Sequence, residues 1–143
     1  MKIAIGADHG GLGLKTALLP LLSAAGHEVV DLGTHTSDSV DYPDYAQAVG
    51  RAVLGGEVGR GLLICGTGIG MSIAANKIPG LRAALVSEPH SARLAAVHND
   101  AQVLCLGGRV VGVELALSCV SAWLSAEFEG DRHARRLAKL EPR

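Results

Sequence analysis

The sequence predicts a single Rossmann-like α/β domain, a three-layer sandwich in which a five-stranded parallel sheet is covered by helices on both faces. Short, almost wholly apolar segments alternate with longer helical stretches along all 143 residues, which is the pattern of repeated β-α-β units. Hydrophobic residues make up 48% of the chain, enough for a full core, and the length suits one domain spanning residues 1–143. Nineteen glycines lie between the segments and indicate many tight turns.

The predicted strands are nearly continuous apolar runs, because both faces of a parallel sheet are buried. They cover residues 2–7, 28–32, 61–65, 82–86 and 102–106. Helical spacing predicts helices at about 12–25, from Pro43 to the glycine pair at 55–56, from the loop at 66–70 to residue 77, at 89–98 and at about 113–127, with a short basic helix after Gly130. Pro20 should kink the first helix, whereas Pro43 suits a first helical turn.

The charge distribution favours a small anionic ligand over a polyanion. The net charge is −1, so no overall basic field exists to attract nucleic acid. Residues 130–143 nevertheless carry five basic and two acidic side chains, a net charge of +3, which leaves −4 on the other 129 residues. We expect this basic C-terminal segment to complete a phosphate site.

No apolar run reaches the roughly 20 residues that a membrane helix needs, and the first residues lack the pattern of a signal peptide. The three cysteines are an odd number without a CxxC pair, so neither a disulfide framework nor a zinc site is indicated. A reducing cytoplasm is the expected location, with no membrane partner.

Polar side chains close to the predicted strands are the candidates for chemistry, since ligands of open α/β sheets bind beyond the carboxyl ends of the strands. Strand one is followed by Asp8 and His9, and strand three ends at Cys65 and Thr67. His98, Asn99 and Asp100 lie near strand five, and we expect them at the same rim.

The strongest local motif is Cys65-Gly66-Thr67-Gly68-Ile69-Gly70. Three alternate glycines let backbone N–H groups converge at a helix N-terminus, which makes an anion cradle and should favour the thiolate of Cys65. The alternative is a buried structural cysteine, which is the expected state of Cys105 and Cys119. A dinucleotide GxGxxG motif fails at Met71, and a P-loop ending at Lys15-Thr16 lacks its glycines, so nucleotide binding is disfavoured.

Arg132 and Arg136 are four residues apart and would share a helix face, which suits a phosphate clamp, although a solvated basic terminus is the alternative. His98 is a candidate acid or base, or a helix C-cap. His27 and His35 look like surface residues, whereas the roles of His90 and His133 stay open. The six histidines show no metal-binding spacing, so we expect neither metal nor other cofactor.

Taken together, the motifs resemble the ribose-5-phosphate isomerase type B family, which is grouped with sugar-phosphate isomerases that act on galactose 6-phosphate. The resemblance runs in order over nearly the whole chain. Its stretches are Ile5-Gly6-Ala7-Asp8-His9, Asp41-Tyr42-Pro43, Ile64 to Gly70 with Ser72 to Lys77, Ser87-Glu88-Pro89, His98-Asn99-Asp100, Gly107-Gly108-Arg109 and Arg132-His133-x-x-Arg136.

The resemblance implies reversible conversion of D-ribose 5-phosphate and D-ribulose 5-phosphate through an enediolate, a step of the non-oxidative pentose phosphate pathway. It implies that Cys65 is the base and that His98 opens the furanose ring, while Asp8 and Thr67 assist proton movement. The residues that it implies for the enediolate are Gly66, Thr67, Gly68, Ile69, Gly70 and Asn99. Those that it implies for substrate binding, chiefly at the phosphate, are His9, Arg109, Arg132 and Arg136.

The same resemblance implies a homodimer or homotetramer with sites at a subunit interface. Some relatives use a glutamate base at the position of Met71, but this chain has Met71 and Cys65 and so resembles the cysteine type. His90 stands where many relatives have tyrosine. Two alternatives remain open, namely a hexose 6-phosphate isomerase acting on allose or galactose 6-phosphate, and a non-catalytic phosphate- or nucleotide-binding protein.

Overall fold

A computed structural model describes residues 1–141; residues 142 and 143, including Arg143 of the basic segment, lie outside the described residues. Five parallel strands form one sheet in the spatial order β2-β1-β3-β5-β4. The strands are β1 (Lys2–Ala7), β2 (Glu28–Asp31), β3 (Arg60–Cys65), β4 (Ala83–Leu85) and β5 (Val103–Gly107). The predicted fold class is therefore confirmed, with strand ends that shift by one residue or two.

Helices connect and follow the strands. They are α1 (Leu12–Ala24), α2 (Tyr42–Leu54), α3 (Ile69–Asn76), α4 (Pro89–Val97), α5 (Val113–Leu124) and α6 (Arg132–Ala138). Pro20 lies inside α1, and the helix continues past it. The carbonyl of Thr16 loses its partner there, but Thr16 and Pro20 are both exposed, so water can replace the missing donor. Within residues 1–141, no helix is long and apolar enough to cross a membrane.

The two faces of the sheet bury two separate hydrophobic clusters. One face packs on α1, α4 and α5, where Leu18, Ala96 and Trp123 are buried against alternate residues of β1, β3 and β5. The other face packs on α2 and α3, and this cluster includes Cys65 and Met71. Small and branched side chains fill both layers, so the sheet is sandwiched between helices as the sequence predicts.

The strand order creates one crevice at the carboxyl edge of the sheet. β1 and β3 are neighbours, yet the chain leaves β1 toward β2 on one side and leaves β3 toward β4 on the other. The loops after these two strands consequently diverge and leave an opening between them, which is where ligands of open α/β sheets bind. The β1–α1 loop with Asp8 and the β3–α3 loop with Cys65 border this opening.

Candidate active site

The β1–α1 loop presents a buried carboxylate at the crevice. Asp8 Oδ1 accepts hydrogen bonds from the backbone N–H groups of Gly10 (2.9 Å) and Gly11 (3.1 Å), which closes a tight turn. A Cβ atom on Gly11 would lie 2.2 Å from the carbonyl oxygen of Ile64, so only glycine allows this loop to approach β3 so closely. The turn therefore holds the Asp8 carboxylate beside the end of β3.

The β3–α3 loop places a thiol under the N-terminus of a helix. Cys65 ends β3 and is buried, and its Sγ atom accepts the backbone N–H of Gly68 at 3.2 Å. Gly68 adopts φ = 78°, which turns the chain back over the thiol. Thr67 is exposed, and its hydroxyl oxygen accepts the N–H of Ile69 at 3.2 Å. An N–H donor aimed at sulfur favours a negative charge there, as expected of a cysteine that reacts as a thiolate.

The β5–α5 loop adds a cation to the same edge. The N–H groups of Gly108 and Arg109 donate to the carbonyl oxygens of Cys65 (2.8 Å) and Gly66 (2.9 Å), so the two loops are joined directly. A Cβ on Gly66 would lie 3.2 Å from Nη1 of Arg109, which shows that the exposed guanidinium rests on the backbone of Gly66. Arg109 is therefore placed to meet an anion at the glycine loop.

Two further side chains border the crevice from the segment before α2. His9 Nδ1 accepts the N–H of Val40 at 3.2 Å, which orients the imidazole of His9. The ring of Tyr42 would lie 2.7 Å from a Cβ on Gly70, so Tyr42 packs against the first turn of α3. The sequence analysis assigned Tyr42 no role; its signal was its place in the Asp41-Tyr42-Pro43 motif.

The other cysteines and Met71 belong to the core. Cys105 and Cys119 are fully buried in β5 and α5, as predicted for structural cysteines. Burial, with a smaller contribution from the charge of Cys65, raises the pKa of Cys105 far above the ordinary range of a thiol. Met71 is fully buried in α3 beside Cys65. Cys65 is thus the cysteine that adjoins the glycine loop.

The expectation that His98, Asn99 and Asp100 share the rim with Cys65 is wrong for one chain. Their segment follows the last turn of α4 and precedes Val103, the first residue of β5, so it lies at the amino edge of the sheet. β5 alone separates the two edges by roughly 13 Å, at about 3.3 Å per residue. His98 is the C-cap residue of α4, with its N–H donating to Leu94 at 2.8 Å.

The basic segment lies at this same amino edge. Arg132 and Arg136 both project from α6 and are exposed, and Arg132 pairs with Glu129 at 3.6 Å. The backbone N–H of Glu129 donates to Val97 at 3.0 Å, which ties the segment before α6 to the end of α4. The two predicted phosphate-binding arginines therefore accompany His98 and not the thiol.

Arg82 connects this edge and was missed by the sequence analysis. Its Nε donates to the carbonyl oxygen of Asn99 at 3.0 Å, and its Nη atoms approach the carboxylates of Asp100 (3.3 Å) and Glu141 (3.2 Å). The side chain is about one fifth exposed. Arg82 precedes a short strand with no recognisable motif, so only the fold reveals that it orients the Asn99 loop.

One group of potential metal ligands occurs within the described residues. Ligand atoms of His98, Glu129 and His133 lie within 4.8 Å of one another. The two imidazoles, however, are stacked with their centroids 4.3 Å apart and their planes 14° from parallel. A shared metal would have to lie in the plane of both rings, which a face-to-face stack does not permit, so this arrangement is a ring contact.

The fold and the crevice define an α/β protein that presents a thiol, a carboxylate and an arginine around a glycine-rich loop, which suits proton transfer on a small anionic molecule. The family described as Ribose/Galactose Isomerase matches residues 3–140. The chain belongs to this family of sugar-phosphate isomerases and is an enzyme, which sets aside the alternative of a non-catalytic binding protein.

Curated relatives cover the chain almost completely. Ribose-5-phosphate isomerase B of Escherichia coli is 55% identical over 139 residues, which span 97% of this chain and 93% of that protein. A D-erythrulose-4-phosphate isomerase of Pectobacterium atrosepticum is 44% identical over 141 residues, with 98% and 93% covered. The relatives thus include more than one sugar-phosphate specificity.

Solved structures agree with the fold. Ribose-5-phosphate isomerase B of Clostridium thermocellum superimposes with a TM-score of 0.96 at 55% identity, covering 98% of this chain and 95% of that one. The enzyme of Mycoplasma genitalium, determined with bound ribulose-5-phosphate, has a TM-score of 0.92 at 43% identity, covering 97% and 93%. At these identities the resemblance extends beyond architecture to the family itself.

Proposed function

We propose that the enzyme interconverts D-ribose 5-phosphate and D-ribulose 5-phosphate, and that Cys65 is the base. The observation that carries the proposal is the buried Cys65 thiol, which accepts the Gly68 N–H at the head of α3 while Asp8 and Arg109 border the same crevice. Relatives named for this reaction are 55% identical, and a related structure contains ribulose-5-phosphate. The three free cysteines accord with action in the reducing cytoplasm.

The proposed reaction moves one proton between neighbouring carbons. The Cys65 thiolate removes the proton from C2 of the open-chain aldose, the electron pair forms the C1–C2 double bond, and the aldehyde oxygen becomes the enediolate oxyanion. The thiol then returns the proton to C1, while the C2 hydroxyl loses its proton and O1 gains one. Asp8 and Thr67 assist the transfers between oxygens, and N–H groups of residues 66–70 with Asn99 stabilise the oxyanion.

The phosphate is assigned to the basic side chains. Arg132 and Arg136 are exposed on α6, Arg109 is exposed on the glycine loop, and His9 lies half-buried beside the crevice. Charge-assisted bonds to a phosphate dianion contribute about 1.5–3 kcal/mol each. Loss of Arg132 or Arg136 should therefore weaken binding of the phosphorylated substrate by about one to two orders of magnitude and leave binding of free ribose unchanged.

We further propose that each active site is shared by two chains of a homodimer. Cys65 lies at the carboxyl edge, whereas His98 and Arg132 lie at the amino edge, so one chain cannot bring them to one substrate. The carboxyl edge also exposes an apolar patch, made of Ile69, Ile73, Leu85 and Val110, which are 43–61% exposed. Contact of this patch with a second copy would bury it and set the partner's amino edge against the thiol.

The reaction is tested with a coupled assay on ribose 5-phosphate. Cys65→Ala should keep the fold and phosphate binding and lose turnover by several orders of magnitude. Cys105→Ala is the matched control, because Cys105 is a buried cysteine of the neighbouring strand and should affect stability more than rate. Activity close to that of the wild type in Cys65→Ala would disprove the assignment of the base.

The shared site is tested by mixing two inactive chains, Cys65→Ala and the double variant Arg132→Ala/Arg136→Ala. Each heterodimer would contain one site with both defects and one intact site. Random exchange in an equal mixture makes half of the dimers mixed, so about one quarter of wild-type activity should return. Absence of recovery after verified subunit exchange would place thiol and arginines within one chain.

A tetrose phosphate is a second candidate substrate, because relatives 44% and 45% identical are named D-erythrulose-4-phosphate isomerases. The hexose alternatives, allose and galactose 6-phosphate, fall within the range of the family description. Comparison of kcat/KM for the tetrose, pentose and hexose phosphates distinguishes these specificities. A pentose value below that of any rival would overturn the proposed substrate but not the proposed base.

A further inference from the structure

His133 is a buried histidine whose only described role is a contact with another ring. It is 5% exposed, and its imidazole stacks on that of His98 with the centroids 4.3 Å apart and the planes 14° from parallel. Its Nε2 atom is buried and has no hydrogen-bond partner among the described residues. The face of the ring, rather than its buried nitrogen, is therefore what the structure uses.

Backbone contacts fix His133 more firmly than His98. The N–H of His133 donates to Gly130 at 3.0 Å, and the N–H of Glu129 donates to Val97, the residue before His98, at 3.0 Å. His98 is half-buried at the C-cap of α4, where its ring would otherwise turn freely, because the χ2 torsion of histidine has broad minima. The buried ring of His133 thus restrains the ring of His98.

The surrounding charges keep His133 neutral. Burial, followed by the positive charge of Arg132, lowers the pKa of His133, and His98 and Arg136 act in the same direction, whereas Glu129 opposes them. Beyond the stack, the loop after α4 contributes Asp100, which is paired with Arg82. A proton on His98 therefore meets a neutral aromatic face, which attracts a cation, and not a second positive charge.

We propose that His133 is a positioning residue that holds the imidazole of His98 in the orientation needed to open the furanose ring of the substrate. The inference rests on the proposed function, in which His98 donates a proton to the ring oxygen. The C1–O4 bond breaks, its electron pair goes to O4, and O4 takes the proton. The C1 hydroxyl releases its proton to water and becomes the aldehyde, after which His98 regains a proton from solvent.

The test separates ring opening from proton transfer between carbons. Ribulose 5-phosphate carries its phosphate on O5 and cannot close a furanose ring, so exchange of its C1 hydrogen with deuterium oxide needs the base but not ring opening. Turnover of ribose 5-phosphate needs both. The two rates are measured at saturating substrate, together with the thermal unfolding midpoint of each variant.

Two variants with the buried volume filled distinguish the flat ring from simple packing. His133→Leu should lower kcat for ribose 5-phosphate about 10- to 100-fold, part of the 10²- to 10⁴-fold that a placed acid contributes, and change C1 exchange less than about threefold. His133→Phe keeps a flat face and should restore ribose 5-phosphate turnover to within about threefold of wild type. His27→Ala, which alters a histidine at the same edge but far from the stack in sequence, should change neither rate.

Three results would overturn the inference: wild-type turnover in His133→Leu, equal losses of turnover and exchange in that variant, or equal losses in His133→Leu and His133→Phe. The Phe variant keeps an aromatic ring and removes the unpaired nitrogen, so it should fold even if the Leu variant does not. In that case a loss of ribose 5-phosphate turnover in folded His133→Phe would be the refuting result. A wild-type enzyme that neither turns over ribose 5-phosphate nor exchanges the C1 hydrogen would instead refute the proposed function.

Discussion

The buried ion pair of Lys15 and Asp31 should show a strong asymmetry between its two partners. The Lys15 ammonium contacts both carboxylate oxygens of Asp31, at 2.7 and 2.8 Å, and joins the first turns of α1 to the end of β2. The Lys15 side chain is 2% exposed, whereas that of Asp31 is 26% exposed. Asp31 Oδ1 also accepts the N–H of Gly33 at 3.0 Å. The lysine therefore depends on its partner far more than the aspartate does.

The expected magnitudes follow from what each substitution leaves behind. Asp31→Asn leaves a buried ammonium without a countercharge, which costs about 3–5 kcal/mol of unfolding free energy. At about 3 °C per kcal/mol for a chain of this size, the midpoint should fall by roughly 10–15 °C. Lys15→Met fills the same space, and the Asp31 carboxylate keeps water and the Gly33 N–H, so the cost should be about 1–2 kcal/mol.

The double variant Lys15→Met/Asp31→Asn removes both charges and should lie within about 1 kcal/mol of Lys15→Met. Urea unfolding of all four proteins at one fixed protein concentration measures the cycle, since assembly would make stability concentration-dependent. The reasoning fails if Lys15→Met costs as much as Asp31→Asn. It also fails if the double variant loses the sum of the two single losses, because the pair would then not be coupled.

Three other outcomes are expected. Gly68→Ala should lose about 1–3 kcal/mol, because φ is 78° and the new Cβ would lie 2.6 Å from Leu85 Cδ1, while Gly13→Ala, with nothing within 4 Å, should gain up to about 1 kcal/mol; thermal unfolding that reverses this order would contradict the geometry. Chelator treatment should leave the isomerase rate unchanged, and a loss restored by a divalent ion would refute that. Glu88 caps α4, and its hydrogen bond with Ser91, then those of the cap backbone, lower its pKa; the cap therefore stabilises above the unfolded carboxyl pKa and is lost as pH falls through the folded value, so Glu88→Gln should lower the midpoint at pH 7 and match wild type at pH 3.

Much of the fold could be read from local patterns. Apolar runs such as 61–65 and 102–106 are buried strands because parallel strands bury both faces, and the helix that begins at Pro89 follows from proline at a first turn and the Glu88 cap. The glycine loop after Cys65 was readable for the same reason. Its alternate glycines and the following helix are neighbours in the chain, so the contact between the Cys65 thiol and the Gly68 N–H is local.

The long-range contacts were not readable in this way. β5 inserts between β3 and β4, an order that depends on packing and not on any local pattern. His98 was expected beside Cys65, yet a residue that precedes a parallel strand lies at the opposite edge from one that ends its neighbour. The stack of His98 on His133 arises because the Glu129 N–H meets the carbonyl of Val97, which folds the non-periodic segment 125–131 back onto α4.

The sequence by itself therefore determined the strands, the helices, the family resemblance and the residues of each half of the proposed site. The tertiary structure alone decided that Cys65 and His98 occupy opposite edges of one sheet and that Arg82 and His133 hold the half that contains His98. The physical reason is the range of the interactions. Periodicity, turns and caps act between residues a few positions apart, whereas the order of strands and the stacking of rings depend on which distant surfaces the chain buries together.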